Sequence, residues 1–238
     1  MNTIYVFDMD GTLTPPRKPM EEQFAKLFLP WLETNRAYLA TGSDFKKVQE
    51  QLPENVIYAF TGVFCSMGNI LWQKGKTVYK NDYEPEADMV DALERMRKNT
   101  SYPGKLYPNY IEVRTGMMNF SVLGRDCPYE AREKYSLWDC ENHEREAIQK
   151  ELSARFSEFD ITLGGAISLD IVKKGHGKGQ IAIKLREIEP KGQITFYGDK
   201  TFEGGNDYDL ARALKQYEGT VVVQVNSPDD LLGHLGIR

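Results

Sequence analysis

Cysteine, histidine and tryptophan each occur only three times in the 238 residues. Cys65, Cys127 and Cys140 are an odd number with no Cys-x-x-Cys pair, which excludes a disulfide framework and predicts free thiols in a reducing cytoplasm. His143, His176 and His234 lack metal-ligand spacing, so surface or structural roles are expected. Trp31, Trp72 and Trp138 read as packing residues. No apolar run approaches the roughly 20 residues that span a bilayer, so no membrane partner is expected. The N-terminus lacks the basic start and cleavage site of a secretory signal. A basic excess is missing too. The formal net charge is −5, which argues against nucleic acid as a partner. With 41% hydrophobic and 27% charged residues, the chain has the composition of a globular protein of one large or two modest domains. Repeats and low-complexity tracts are absent.

Short apolar runs alternate with helical patterns near both ends. Ile4–Phe7, Tyr38–Ala40, Ile57–Phe60, Ile194–Tyr197 and Thr220–Val225 read as buried strands. Ser43–Leu52, with Ser43 as N-cap, Asn206–Tyr217 and Pro228–Leu235 read as helices. This alternation predicts a parallel sheet covered by helices. The middle differs, with strand-like segments at Tyr110–Thr115, Asn119–Leu123, Ile161–Leu163 and Ala166–Val172 and helical patterns at Glu86–Lys98 and Leu137–Phe159. Strands with segregated helices predict an α+β unit on an antiparallel sheet. The expected organisation is a Rossmann-like α/β core (residues 1–81 and 178–238) split by an inserted domain (82–177), with Lys173-Lys174 as a solvated hinge edge.

The strongest chemical signal is Asp8-Met9-Asp10-Gly11-Thr12, directly after the first strand. Ligands of open α/β sheets bind at the carboxyl ends of strands. Two carboxylates two residues apart can divide the work: Asp8 attacks phosphorus to form an aspartyl-phosphate, and Asp10 shuttles a proton. Thr41-Gly42-Ser43 follows the second strand and reads as a phosphate-binding turn at a helix start. Lys178, in the turn Gly175–Gly179, can neutralise a phosphoryl oxygen. Gly198-Asp199-Lys200 follows another strand, with Gly204-Gly205-Asn206-Asp207 soon after. Asp199 is placed to hold Mg2+ together with Asp8, and Asp207 is either a further ligand or its support.

These motifs, in this order and at strand ends, resemble the haloacid-dehalogenase-like superfamily, whose type IIB caps are inserted between the Thr/Ser and Lys motifs. The closer resemblance, nearly end to end, is to the eukaryotic-type α-phosphomannomutase family. Phe7-Asp8-Met9-Asp10-Gly11-Thr12-Leu13-Thr14 with Pro16-Arg17 resembles its FDxDGTLTxPR, and Gly42–Leu52 resembles GSDFxKVQEQL. Ile111–Arg114 with Gly116–Asn119 resembles FIEFRxGMLN. Gly124-Arg125 and then Arg132 keep the arginine spacing, Gly164–Asp170 resembles GGQISFD, and Phe196–Thr201 with Gly204–Asp207 resembles FFGDKTxxGGND. The resemblance implies Asp8 as nucleophile and Asp10 as general acid/base. It implies Mg2+ on Asp8, the Asp10 carbonyl and Asp199. Arg17, Arg114, Arg125, Arg132, Ser168 and Asp170 would bind the sugar phosphate. It further implies mannose 6-phosphate and mannose 1-phosphate as substrates, a hexose 1,6-bisphosphate primer and a homodimer formed through the cap. Guanidinium forks suit phosphate oxygens, and arginines in the inserted domain suggest a grip on a second phosphate.

Three departures from the family pattern keep alternatives open. Thr41 stands where the family usually has Gly, as in related phosphatases. Ser66-Met67-Gly68-Asn69 replaces an ENG segment, and Tyr208–Gln216 does not match the loop that holds the family's extra cation. A Mg2+-dependent sugar-phosphate phosphatase on the same scaffold is the first rival. A sugar-phosphate-binding protein without turnover is the second, and the intact carboxylates speak against it.

Overall fold

Residues 3–237 are described by the computed structural model. The strand β1 (Thr3–Phe7) carries Ile4 and Val6 on one face and Tyr5 and Phe7 on the other. Apolar side chains on both faces suit a strand buried inside a helix-covered sheet. It pairs in parallel with β10 (Gln193–Gly198) on one side and β2 (Arg36–Ala40) on the other. Adding β3 (Gly62–Cys65), β4 (Ile70–Gln73), β5 (Lys76–Lys80) and β11 (Thr220–Gln224) gives the order β11-β10-β1-β2-β3-β4-β5. The β3–β4 and β4–β5 pairs are antiparallel and the others parallel. Phe7, Leu39, Val63 and Tyr197 on one face pack with α1 (Glu22–Thr34), α2 (Phe45–Gln51), α3 (Glu54–Ala59) and α9 (Pro228–Leu235). Ile4, Val6, Tyr38 and Phe196 on the other pack with α7 (Gln180–Ile188) and α8 (Tyr208–Leu214).

The chain divides into two compact units, Met1–Asn81 with Gly175–Arg238, and Asp82–Lys174. The second unit has its own core. Its antiparallel sheet runs β6 (Ile111–Arg114), β7 (Met117–Phe120), β9 (Ser168–Lys173), β8 (Phe159–Gly164). One face of it, with Met118, Phe120, Ile161, Leu169 and Ile171, buries against α4 (Ala87–Lys98), α5 (Tyr129–Asn142) and α6 (Glu144–Arg155).

The sequence reading needs three corrections. Ile57–Phe60 is not a strand. Ile57 lies in α3, which opens on Pro53 and Glu54, and the neighbouring strand is β3. Short apolar runs do not distinguish the two states, and a proline followed by an acidic first turn is the helix-start signal that decides here. Ser43 is not the cap of α2. Asp44 is, its carboxylate accepting the Lys47 N–H at 2.8 Å. Leu137–Phe159 is not one helix. His143, in the left-handed region at φ 56°, separates α5 from α6, and the buried Asp139 carboxylate staples the break by accepting the Arg145 N–H and Nε–H at 2.8 and 2.7 Å. The helix α1 and the hairpin β4–β5 lie outside the segments that the sequence pattern marks as helix or strand.

Phe7 sits where both layers of this face meet, 5.3 Å from the Tyr197 ring and 5.5 Å from Phe28. Phe7→Ala is expected to destabilise the first unit by about 3–5 kcal/mol, measurable as a lower urea midpoint of its unfolding transition.

Candidate functional site

Parallel pairing brings the chemical residues to one edge. Phe7 lies opposite Leu39 in β2 and Tyr197 in β10, so the chain leaves all three strands at the same end of the sheet. Asp8, Thr41 and Asp199 follow directly. The Asp8 N–H continues the ladder to the Tyr197 carbonyl at 2.9 Å, and the Thr41 N–H donates to Phe64 O at 2.9 Å.

The centre is built on a buried cation. Lys178 Nζ donates to Asp8 Oδ1 and to Asp207 Oδ1, each at 2.5 Å, with all three side chains nearly inaccessible. Burial raises the Asp8 carboxyl from 3.8 to about 7 against the pull of Lys178, with the neighbouring Asp207 charge adding to the rise. The Lys178 ammonium is held well above its usual value, the two carboxylates outweighing the cost of burial. Asp199 completes the group, since carboxylate oxygens of Asp8, Asp199 and Asp207 lie within 4.8 Å of one another. Asp8 Oδ2 and Asp199 Oδ1 are buried without a hydrogen-bond partner.

Three carboxylates share two ammonium groups, the buried Lys178 and the half-exposed Lys200, whose Nζ lies 3.3 Å from Asp199 Oδ2, so one negative charge is left over. The two orphaned oxygens belong to different loops, one following β1 and one following β10. The residues therefore fit a hard divalent cation, which takes carboxylate oxygens and cancels that excess. Glycines make room for two of these carboxylates. Gly11 has φ +87°, and a Cβ there would overlap Asp199 Oδ2; a Cβ on Gly198 would come within 2.6 Å of Asp207 Oδ2.

Asp10 stands apart from the carboxylate cluster. Its Oδ1 accepts the Arg17 N–H at 2.6 Å and Gln51 Nε2 at 3.0 Å. The buried Gln51 amide also donates to Thr14 Oγ1 and Lys18 O, so it orients the acidic loop. Gln51 carries no role in the sequence pattern beyond its place in the Gly42–Leu52 motif. A glutamine at a buried position of α2, beside Val48 and Leu52, is the signal that could have found it. Arg17 reaches the loop through its backbone, in the left-handed region at φ 61°. Thr41 Oγ1 accepts the Ser43 N–H at 3.1 Å, closing the Thr41-Gly42-Ser43 turn. Because the acidic Asp44 caps α2, this turn precedes the helix rather than opening it.

In the second unit, strand register aligns Glu112, Asn119 and Asp170 across the sheet, on the face opposite the apolar core. Glu112 Oε2 takes Arg114 Nη2 at 2.6 Å and Arg125 Nε at 2.7 Å. Arg125 Nη1 donates to Asn119 Oδ1, and Asn119 Nδ2 to Asp170 Oδ1, both at 2.6 Å. Arg132 Nη2 contacts Arg125 O at 3.3 Å, and Ser168 Oγ donates to Gly164 O at 2.7 Å. Arg114, Arg125, Arg132 and Asp170 thus form one network. Glu112 and Asn119, its connecting members, had been quoted in a motif without a role.

This architecture is that of the haloacid-dehalogenase-like fold. A haloacid dehalogenase-like hydrolase from Bacteroides thetaiotaomicron superposes with a TM-score of 0.65 at 13% identity, over 99% of each chain. A trehalose-6-phosphate phosphatase from Aspergillus fumigatus gives 0.62 at 17% identity, over 99% of this chain and 91% of that one. The chain belongs to the eukaryotic phosphomannomutase family, whose model matches residues 32–236. It is 33% identical to a phosphomannomutase of Spinacia oleracea over 96% of this chain and 92% of the relative. Identity to phosphomannomutase 1 of Dictyostelium discoideum is 34%, over 98% and 96%.

The elevated Asp8 carboxyl has a measurable consequence. Its folded value of about 7 exceeds its unfolded value, so its contribution to stability is present at low pH and is lost as pH rises through 7. Without divalent cations, the melting temperature of the wild type is expected to fall relative to Asp8→Asn between pH 5 and 8. Added Mg2+ should recover several degrees in the wild type, more at pH 8 than at pH 6, because below 7 it must displace a proton. Differential scanning fluorimetry across that range checks both trends.

Proposed function

We propose that this chain is a phosphomannomutase, interconverting mannose 6-phosphate and mannose 1-phosphate through an aspartyl-phosphate on Asp8 and a hexose 1,6-bisphosphate. The observation that carries the reading is the buried Asp8, fixed by Lys178 at one oxygen and unpartnered at the other, in a chain that matches phosphomannomutases nearly end to end.

Asp8 attacks phosphorus. The bond between phosphorus and the sugar oxygen breaks, and Asp10 gives that oxygen its proton. In the return step Asp10 takes the proton of the accepting hydroxyl and the phosphoryl group leaves Asp8 for the sugar. Lys178 and the Thr41–Ser43 turn hold phosphoryl oxygens, and Gln51 with the Arg17 backbone keeps Asp10 in one orientation. Asp8, Asp199, Asp207 and the Asp10 carbonyl are the proposed Mg2+ ligands. The ion, when bound, screens the phosphoryl charge from the carboxylates. Arg17, Arg114, Arg125, Arg132, Ser168 and Asp170 bind the sugar phosphate, the arginines gripping the phosphate that is not reacting. The chain acts in the cytoplasm as a homodimer through the inserted unit. Exposed Tyr129 and Leu137 on α5 supply apolar surface in support of that assembly. No helix among the described residues is long and apolar enough to cross a membrane.

Asp8→Asn is expected to lower turnover by roughly 10⁴ or more while the fold survives, checked by coupled assay with circular dichroism. EDTA should abolish activity and Mg2+ restore it. Arg125→Ala or Arg132→Ala should lower flux from mannose 1-phosphate roughly 10- to 150-fold, from about 1.5–3 kcal/mol for each lost charge-assisted contact. Hydrolysis of p-nitrophenyl phosphate, with no second phosphate, should change little. The phosphatase alternative rests on Thr41. Stoichiometric release of inorganic phosphate and mannose, with no mannose 6-phosphate even when primed with hexose 1,6-bisphosphate, would establish it instead.

A further inference from the structure

The segment Ser66–Asn69, which departs from the family pattern, forms a 3-10 turn with unusual backbone. Ser66, Met67 and Gly68 are all left-handed, with φ of 49°, 59° and 86°. A side chain in that region strains the backbone, so other contacts must hold Met67 there. They do so on two sides. The Ser66 and Met67 N–H groups donate to Ser43 O at 2.8 Å and Thr41 O at 3.0 Å, pinning the proposed phosphate turn. On the other side Gln180 Nε2 donates to Met67 O at 3.0 Å and His176 O at 2.7 Å, and contacts Asn69 Oδ1 at 3.2 Å. Gln180 and His176 flank Lys178. A Cβ on Gly68 would overlap Ile181, so α7 also packs directly on this turn.

Asn69 is the hub. It is 1% exposed. Its Nδ2 donates to Ser66 O at 2.9 Å and His176 O at 3.1 Å, while its Oδ1 accepts from Gln180 and from Asn81 Nδ2, each at 3.2 Å. Both donors of the amide are thus filled and its oxygen faces two amide nitrogens, so an orientation with oxygen facing the two carbonyls would be repulsive. Asn81 is the last residue of the first unit before the chain leaves it, and His176 the second after it returns.

We propose that Asn69, acting with Gln180, is a positioning residue of the phosphotransfer centre: it locks the Lys178 turn to the Thr41–Ser43 turn and so sets the spacing of the groups that grip the phosphoryl oxygens. The proposal rests on the reading of those two turns as the phosphate site. Asn69 touches neither the carboxylates nor the reacting atoms. Its loss should therefore loosen the phosphate grip and leave cation binding intact.

The test is calorimetric titration of orthovanadate, a phosphoryl mimic, into Mg2+-saturated protein, with a parallel titration of Mg2+ into metal-free protein. Asn69→Ala should weaken vanadate at least about tenfold, the size of one or two buried hydrogen bonds, and change Mg2+ affinity less than twofold. Gln180→Met, which keeps side-chain volume and the Asn69 amide, should weaken vanadate in the same selective way and keeps the test decisive if Asn69→Ala does not fold. Equal losses for vanadate and Mg2+ in the folded variant, or unchanged vanadate affinity, would overturn the proposal. A wild type that fails to bind vanadate would instead overturn the underlying phosphate-site reading.

Discussion

One ammonium group organises the first unit's reactive edge. Removing a lysine from water costs several kcal/mol unless charge and geometry compensate, and here Asp8 and Asp207 both close on Nζ. That requirement reaches outward. Asp207 is held by its own N–H to Lys200 O and by the Lys200 N–H on its Oδ2, which folds residues 199–207 back toward Asp199. Gly198 has no side chain because the Asp207 carboxylate occupies the space one would need. The register of β1 with β10 then matters to chemistry as well as packing, because it brings Asp199 alongside Asp8.

The second unit solves a different electrostatic problem. Arginines on its open sheet face are tied to Glu112, Asn119 and Asp170 in a nearly balanced row. Each guanidinium is thereby held in a defined orientation before any ligand arrives. Side chains ordered in advance in this way lose less conformational freedom in any later contact than freely rotating ones.

Much of this was legible because it follows from local pattern. Continuous apolar runs marked β1, β10 and β11, and the acidic turns directly after β1 and β10 marked the reactive edge. The errors share a cause. Ile57 belongs to an apolar run whose period is too short to decide between helix and strand, and the break at His143 depends on a buried Asp139–Arg145 pair that no local signal announces. Gln51, Asn119 and Asn69 escaped for a related reason. A buried amide acts through whichever partners folding brings to it, and each of these three has at least one partner more than thirty residues away along the chain.

The separation between Asp8 and Lys178 is 170 residues, and the whole of the second unit lies between them. During synthesis at about 5–20 residues per second, that interval is on the order of ten seconds or more. Through it β1 has no β10 beside it, and Asp8 has neither its lysine nor the two other carboxylates of the cluster. The inserted unit, with its own core and four-stranded antiparallel sheet, has every residue it needs by Lys174, before Lys178, β10 and Asp207 are made. Order of emergence from the ribosome therefore favours a chain whose inserted unit is finished first and whose carboxylate–lysine cluster becomes whole only once residues 178–207 have followed.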